Sequence, residues 1–209
     1  MSVPELHLDS VASYYTQALQ THGTTPRGVD WGSEAAQDER LRQLLAALDL
    51  LPKDQPLSLL DVGCGYGRLL DLIQTTRPQQ DIRYTGYDIS PAQLDAARTR
   101  HPQATWTAHW PTEPYDAVLA SGTFNVKLET PHAEWETYVW HSLDRMFAQA
   151  RSVMAFNLLS DQIDPGFERE HLYRAHPPTV LKQCLNRYGR RVSLLHHYGQ
   201  YDFTVWVLK

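Results

Sequence analysis

Leu59-Leu60-Asp61-Val62-Gly63-Cys64-Gly65-Tyr66-Gly67-Arg68-Leu69-Leu70 joins an apolar run to a glycine-rich turn and the opening of a helix. From Leu57 to Val62 the chain is almost continuously apolar, the pattern of a strand covered on both faces in a parallel sheet. Gly63, Gly65 and Gly67 then permit backbone angles and close approaches that a side chain blocks, so a ligand can press against bare backbone. Helical spacing resumes at Arg68-Leu69-Leu70 and runs through Ile73. The turn reads Gly-x-Gly-x-Gly rather than Gly-x-Gly-x-x-Gly, and Asp61 stands just ahead of it. A helix amino end that holds a pyrophosphate disfavours a neighbouring carboxylate, whereas an ammonium group suits one.

A second acid agrees with the first. Ile82-Arg83-Tyr84-Thr85-Gly86-Tyr87-Asp88-Ile89-Ser90 reads as the next strand, ending in Asp88 at about the spacing of a ribose-binding acid. Ser90-Pro91 supplies an N-cap followed by proline at the first helical position, opening a helix to Arg100. The glycine turn resembles the first motif of the class I S-adenosylmethionine-dependent methyltransferases, with Asp61, Gly63, Cys64 and Gly65 matching directly. The resemblance covers about residues 57–209. It implies S-adenosyl-L-methionine as cofactor, Asp61 near its amino group, Asp88 on its ribose and Ile89 beside its adenine.

The resemblance also implies the fold, an α/β Rossmann-like methyltransferase fold. Its sheet is mostly parallel and seven-stranded with an antiparallel C-terminal hairpin, and helices cover both faces. Tyr115 to Ala120 reads as the fourth strand, and the loop after it, with Ser121, Gly122 and Asn125, is implied to face sulfonium and acceptor. Arg151 to Leu159 reads as the fifth strand, with Asn157 either lining the pocket or bonded internally. The runs Arg191–Tyr198 and Tyr201–Leu208 flank Gly199-Gln200 and form the terminal hairpin. Trp106 and Trp110 are each read as either an adenine neighbour or core.

Residues 1–56 form a helical extension ahead of the core, and a comparable extension is a lid in many small-molecule methyltransferases. Leu8 to Gln20 has the spacing of an amphipathic helix, and Glu34 to Leu51 has another, capped by Ser33. In the loop between them Arg27 is the candidate for the cofactor's carboxylate, and Trp31, or Tyr14 of the first helix, for its sulfonium, against the plainer roles of capping and packing. Asn125, His171 and Tyr173 are the candidate catalytic residues, and the long polar connection from Ser160 to Pro178 is a candidate second lid.

Composition bounds the partners. With 209 residues, net charge −5 and no basic patch, the chain reads as one domain built for a small-molecule substrate rather than for nucleic acid. The two cysteines make no disulfide framework, which fits a reducing cytoplasm. No signal peptide or spanning segment is expected, and no membrane contact. The ten histidines do not form a metal set, because His196 and His197 point to opposite faces of a strand. Oligomeric state is left open by the sequence.

Methyl transfer by in-line displacement needs alignment more than catalytic groups, which explains a weak catalytic signature. Two alternatives remain at this point. A cyclase or lyase on the same fold would release methylthioadenosine from the cofactor itself, and a non-catalytic subunit would only bind it. An RNA substrate fits poorly, since Ser121-Gly122-Thr123-Phe124 stands where an Asn-Pro-Pro-Tyr-type motif would.

Overall fold

The computed structural model describes residues 8–209, so the first seven residues of the expected extension, and with them the start of the expected leaderless terminus, lie outside it. β1 (Leu57–Val62) sits mid-sheet because both its faces are apolar and both are covered. It runs parallel to β2 (Ile82–Tyr87) on one side and to β4 (Tyr115–Ala120) on the other. β3 (Thr105–Thr107) continues the sheet beyond β2, and β5 (Ala150–Leu159) lies parallel to β4. β7 (Asp202–Leu208) enters antiparallel between β5 and β6 (Val192–Leu195). The resulting order, β3-β2-β1-β4-β5-β7-β6, is a seven-stranded mixed sheet with its antiparallel strand near one end, as the terminal hairpin predicts.

Alternation along the strands sends side chains to two separate cores. Leu60, Val62, Val118 and Ala120 pack against α5 (His132–Gln149) and α6 (Pro177–Tyr188). Leu57, Leu59, Ala117 and Leu119 face the opposite way, against α2 (Glu34–Leu45) and α3 (Arg68–Thr76). Leu44 and Leu48 are fully buried in that second core, so α2 and the 3-10 turn after it are part of the layer beneath the sheet. The helix expected to run to Leu51 changes to 3-10 geometry at Ala46.

The remaining part of the extension crosses to the carboxyl ends of the strands. α1 (Asp9–His22) packs on α4 (Pro91–Arg100), where Thr16 Oγ1 and Ser90 Oγ are 2.9 Å apart. A 3-10 turn, Pro26–Val29, follows and folds back so tightly that a Cβ on Gly28 would collide with the carbonyl of Gly23. Both expected N-caps form: Ser33 Oγ accepts from Ala36 N (3.2 Å) and Ser90 Oγ from Gln93 N (3.3 Å). None of the described helices is long and apolar enough to cross a membrane.

Candidate active site

The glycine turn lies at the carboxyl end of β1, where ligands of open α/β sheets bind. Gly63, Gly65 and Gly67 have φ of 74°, 53° and 90°, in the left-handed region that side chains rarely enter. Space excludes a side chain as well, for a Cβ on Gly63 would come within 2.5 Å of the Thr123 hydroxyl oxygen. The turn hangs from the end of β2, with Gly63 N and Cys64 N both donating to Tyr87 O. It is also tied to Asp88, whose Oδ2 accepts from Gly65 N (2.8 Å) and whose Oδ1 accepts from Ser90 N (2.8 Å). The two acids and the first two glycines of the turn, Gly63 and Gly65, therefore come together on one cleft.

Burial dominates the electrostatics of both acids. Asp61 is 3% exposed, and desolvation pushes its carboxyl up to about 7, opposed by a hydrogen bond from Tyr84 Oη (2.5 Å) and reinforced by Asp88 nearby. Asp88 is likewise raised by burial, with the Ser90, Gly65 and Ile89 backbone N–H groups pulling the other way. Two buried carboxyls lining one cleft, neither paired with a cation among the described residues, make a cation-seeking end.

The loop after β4 forms the next wall. Asn157, buried in β5, accepts from Gly122 N at Oδ1 (2.7 Å) and donates from Nδ2 to Ser121 Oγ (3.2 Å), so it is bonded internally and fixes Ser121 and Gly122 at the cleft. Thr123 Oγ1 donates to Val62 O (2.6 Å), anchoring the same loop to β1. Gly122, at φ 68°, leaves room for Trp31, whose indole Cζ2 lies 2.5 Å from the place a Cβ would take. The Arg40 guanidinium lies 4.4 Å from the Trp31 ring centroid and pairs at 2.6 Å with buried Asp202 of β7. Asp202, Arg40, Trp31 and Gly122 thus form one continuous chain of contacts from the start of β7 to the cleft.

Of the sequence candidates, Asp61, Gly63, Cys64, Gly65, Asp88 and Ile89 line the cleft. So do Ser121, Gly122 and Trp31. Arg27 does not: it is exposed on the outer side of the 3-10 turn, because the close packing of Gly28 on Gly23 turns the inner side toward the core. Tyr14 is also outside the lining, its hydroxyl pKa raised to about 12 by burial and by the nearby Asp30 charge, whereas its neighbour Tyr15 lines the cleft.

Asn125, His171 and Tyr173 are all outside the lining. Tyr173 N donates to Asn125 O (2.7 Å), and His171 O accepts from Lys127 N (2.9 Å), so the Ser160–Pro178 connection is laced by backbone onto the loop after β4. The Tyr173 ring packs on His132 (4.9 Å between centroids), and burial raises its hydroxyl pKa further from any role as a base. No residue of that connection reaches the cleft. Trp106 covers Gly86 and donates to His101 O (3.0 Å), a core position, while Trp110 lines the cleft beside Tyr87.

Sequence reasoning missed Gln37, Tyr66, Tyr138 and Trp135, all in the lining. The last two belong to the apolar stripe of α5, and nothing in a stripe separates a side chain packed on the sheet from one that walls a cleft. Gln37 Oε1 accepts from Tyr66 Oη (3.1 Å), beside Arg68, whose guanidinium is held by Asp38 and Glu34.

Comparison with known proteins agrees with this geometry. Residues 60–143 match the family described as a methyltransferase domain. A Mycobacterium tuberculosis protein described as a methyltransferase is 38% identical over 159 residues, 74% of this chain and 94% of its own length. The chain belongs to the class I S-adenosylmethionine-dependent methyltransferases. A trans-aconitate 2-methyltransferase of Rhodopseudomonas palustris is 36% identical over 103 residues, 46% of this chain but only 40% of that enzyme. Among solved structures, a TehB-like S-adenosylmethionine-dependent methyltransferase of Corynebacterium glutamicum shares the fold, with TM-score 0.57 and 14% identity over 96% of this chain and 99% of that one. The chain is therefore a methyltransferase enzyme, and S-adenosylmethionine is its cofactor.

Proposed function

We propose that this methyltransferase transfers the methyl group to a small-molecule acceptor bound in the cleft between the glycine turn, α1 and α5. The observation that carries this reading is the shape and lining of the cleft. It is a partly enclosed cleft with the glycine turn and two acids in its lining and aromatic walls from α1 and α5. Its aromatic walls include Tyr15, Phe124, Trp135 and Tyr138. Those walls, which the cofactor's polar ends leave unused in this reading, favour an acceptor over self-consumption of the cofactor. The likeness to trans-aconitate 2-methyltransferases, small-molecule enzymes by their name, points the same way.

The residues fit the cofactor in three respects. The glycine turn leaves bare backbone where a Cβ would intrude, Asp61 offers a carboxylate to an ammonium group, and Asp88 offers one to ribose hydroxyls. Ile89 is the proposed adenine neighbour, and Ser121 and Gly122 back the sulfonium, with Trp31 above them. In place of Arg27, the Gln37 amide is the donor we assign to the cofactor's carboxylate. When bound, the cofactor supplies an electrophilic methyl group on a sulfonium. This chain's residues orient it, exclude water, and stabilise positive charge through aromatic faces. α1 and the 3-10 turn act as the lid.

Mass spectrometry of the nucleoside product tests the reading. Purified protein incubated with S-adenosylmethionine and pooled small-molecule extract should yield extract-dependent S-adenosylhomocysteine. Methylthioadenosine formed without extract would defeat methyl transfer in favour of cofactor breakdown. Asp88→Asn, close in size, should weaken S-adenosylhomocysteine binding by about 10- to 100-fold in calorimetry, the loss of one or two charge-assisted hydrogen bonds. Unchanged affinity in the folded variant would remove Asp88 from the site.

A further inference from the structure

Gln93 lies on the first turn of α4, just beyond Asp88, and is 1% exposed. Its backbone N–H donates to Ser90 Oγ, and its side chain crosses to the lid. Nε2 donates to Gly28 O of the 3-10 turn (2.8 Å) and to Tyr15 O of α1 (3.2 Å). Those two carbonyls settle which way the amide faces, because turning it over would set its oxygen against two acceptors and lose both bonds. Both amide hydrogens are therefore occupied by the lid, and Oε1 points away from it.

Oε1 is shielded from solvent and has no hydrogen-bond partner among the described residues. An amide oxygen buried without a partner is costly, and folded proteins rarely leave one so. This one faces the glycine turn. It lies 3.8 Å from the place a Cβ on Gly65 would take, and Gln93 and Gly65 both line the cleft. Gly65 N donates to Asp88 Oδ2 (2.8 Å), so the Asp88 carboxyl and Gln93 Oε1 flank the same glycine. Gly65 N and Ser90 N each take one lone pair of that carboxyl, and each of its oxygens keeps another. Acceptors from two elements thus meet beside bare backbone, and a group with two donors satisfies both. A vicinal diol is such a group.

Resting on the placement of the ribose at Asp88, we infer that Gln93 is a further cofactor-binding residue, whose Oε1 accepts a hydrogen bond from a ribose hydroxyl while Nε2 stays bonded to the lid. One amide then spans lid and cofactor, and the bond at Oε1 polarises the N–H groups that hold Gly28 and Tyr15. The fixed acceptor also makes Gln93 selective. A cofactor that lacks the matching hydroxyl leaves Oε1 buried and unpaired, and affinity falls by more than the lost contact alone.

The test pairs the residue with the hydroxyl. Calorimetry on the full chain compares S-adenosylhomocysteine with its 2′-deoxy and 3′-deoxy analogues, in wild type and in Gln93→Met, which is close in length and offers no oxygen. One of the two analogues should bind wild type about tenfold more weakly than S-adenosylhomocysteine, and that difference should shrink about fivefold or more in the variant. A residue that only packs would weaken every ligand by the same factor. A deoxy loss that is equal in the two proteins therefore overturns the inference and leaves the ribose with Asp88. Deoxy analogues that match S-adenosylhomocysteine in wild type overturn the inference and the ribose placement together. A second readout needs no variant. In carbon-13 NMR of wild type, the Gln93 side-chain carbonyl should move downfield when S-adenosylhomocysteine binds, and less with the weaker analogue. Equal movement with both ligands at saturation, or none with either, overturns the inference.

Discussion

Asp61 carries a pH dependence that its burial dictates. Its carboxyl in the cofactor-free fold titrates near 7, against 3.8 for the unfolded chain, so between those values the folded state holds a proton that the unfolded state has released. Its contribution to stability is thus present at low pH and declines as pH rises from about 4 to about 7. Cofactor binding moves oppositely, because only the carboxylate pairs with an ammonium. Affinity for S-adenosylhomocysteine should rise about tenfold from pH 6 to pH 8 in calorimetry, and Asp61→Asn should flatten that rise. An equally steep profile in the variant would take Asp61 away from the ammonium. Gly122 makes a second residue-scale prediction. Gly122→Ala puts a Cβ 2.5 Å from Trp31 Cζ2 at a left-handed φ, so the indole must leave and cofactor affinity should fall about tenfold or more. Retained affinity would show that Trp31 plays no part in the site. These positions were legible because a glycine turn and the acids at two strand ends are fixed by local backbone. Arg27, Asn125, His171 and Tyr173 lie in loops, where side-chain direction follows packing decided elsewhere: by Gly28 on Gly23, and by the backbone pairing of Tyr173 with Asn125. Tyr14 and Tyr15 differ by one helical step, and that step decides which of them lines the cleft.

α2 does two jobs at the scale of elements. Leu41, Leu44 and Leu45 bury one stripe beneath the sheet, while Arg40, on another side of the helix, reaches Asp202 at the start of β7 and carries Trp31 on its guanidinium. The sequence reveals the stripe, since the leucine spacing is helical, but the ion pair links residues 162 apart and leaves no local trace. The strands were legible for the same reason as the stripe: β1, β4 and β5 are apolar runs bounded by turns, and the hairpin of β6 and β7 is marked by Gly199. Arg40→Met should therefore be more damaging than an ordinary surface change. It leaves Asp202 buried, 1% exposed and unpaired, at a cost of about 3–5 kcal/mol in urea unfolding near neutral pH. The penalty should shrink as pH falls, because burial already favours the neutral form of Asp202 and a proton removes the uncompensated charge. A pH-independent loss would assign the damage to packing alone.

At the scale of the whole molecule, the question is whether the extension opens for the cofactor to enter. Val29 sits against the glycine turn, 3.0 Å from where a Cβ on Gly65 would be, and Gly28 is buried with its carbonyl accepting from Gln93 Nε2 (2.8 Å). The 3-10 turn thus covers the site while Arg27, at its outer side, remains exposed. Trypsin can cut the Arg27–Gly28 bond only when that turn pulls away, since the protease needs the backbone on both sides extended and free. If pulling away uncovers the glycine turn, a bound cofactor and an open lid exclude each other, and cleavage should slow by the factor 1 + [L]/Kd. That factor is about 100 when free S-adenosylhomocysteine is 100 times its Kd, provided reclosing is fast compared with cutting. Mass spectrometry of the fragment ending at Arg27 follows that one bond among the other tryptic sites. Protection that saturates with the same Kd as calorimetric binding would make α1 and the 3-10 turn a gate for the cofactor. Cleavage that ignores the ligand would mean that the turn opens with the cofactor still held by Asp61, Asp88 and the glycines, and water exclusion would then rest on the aromatic walls alone.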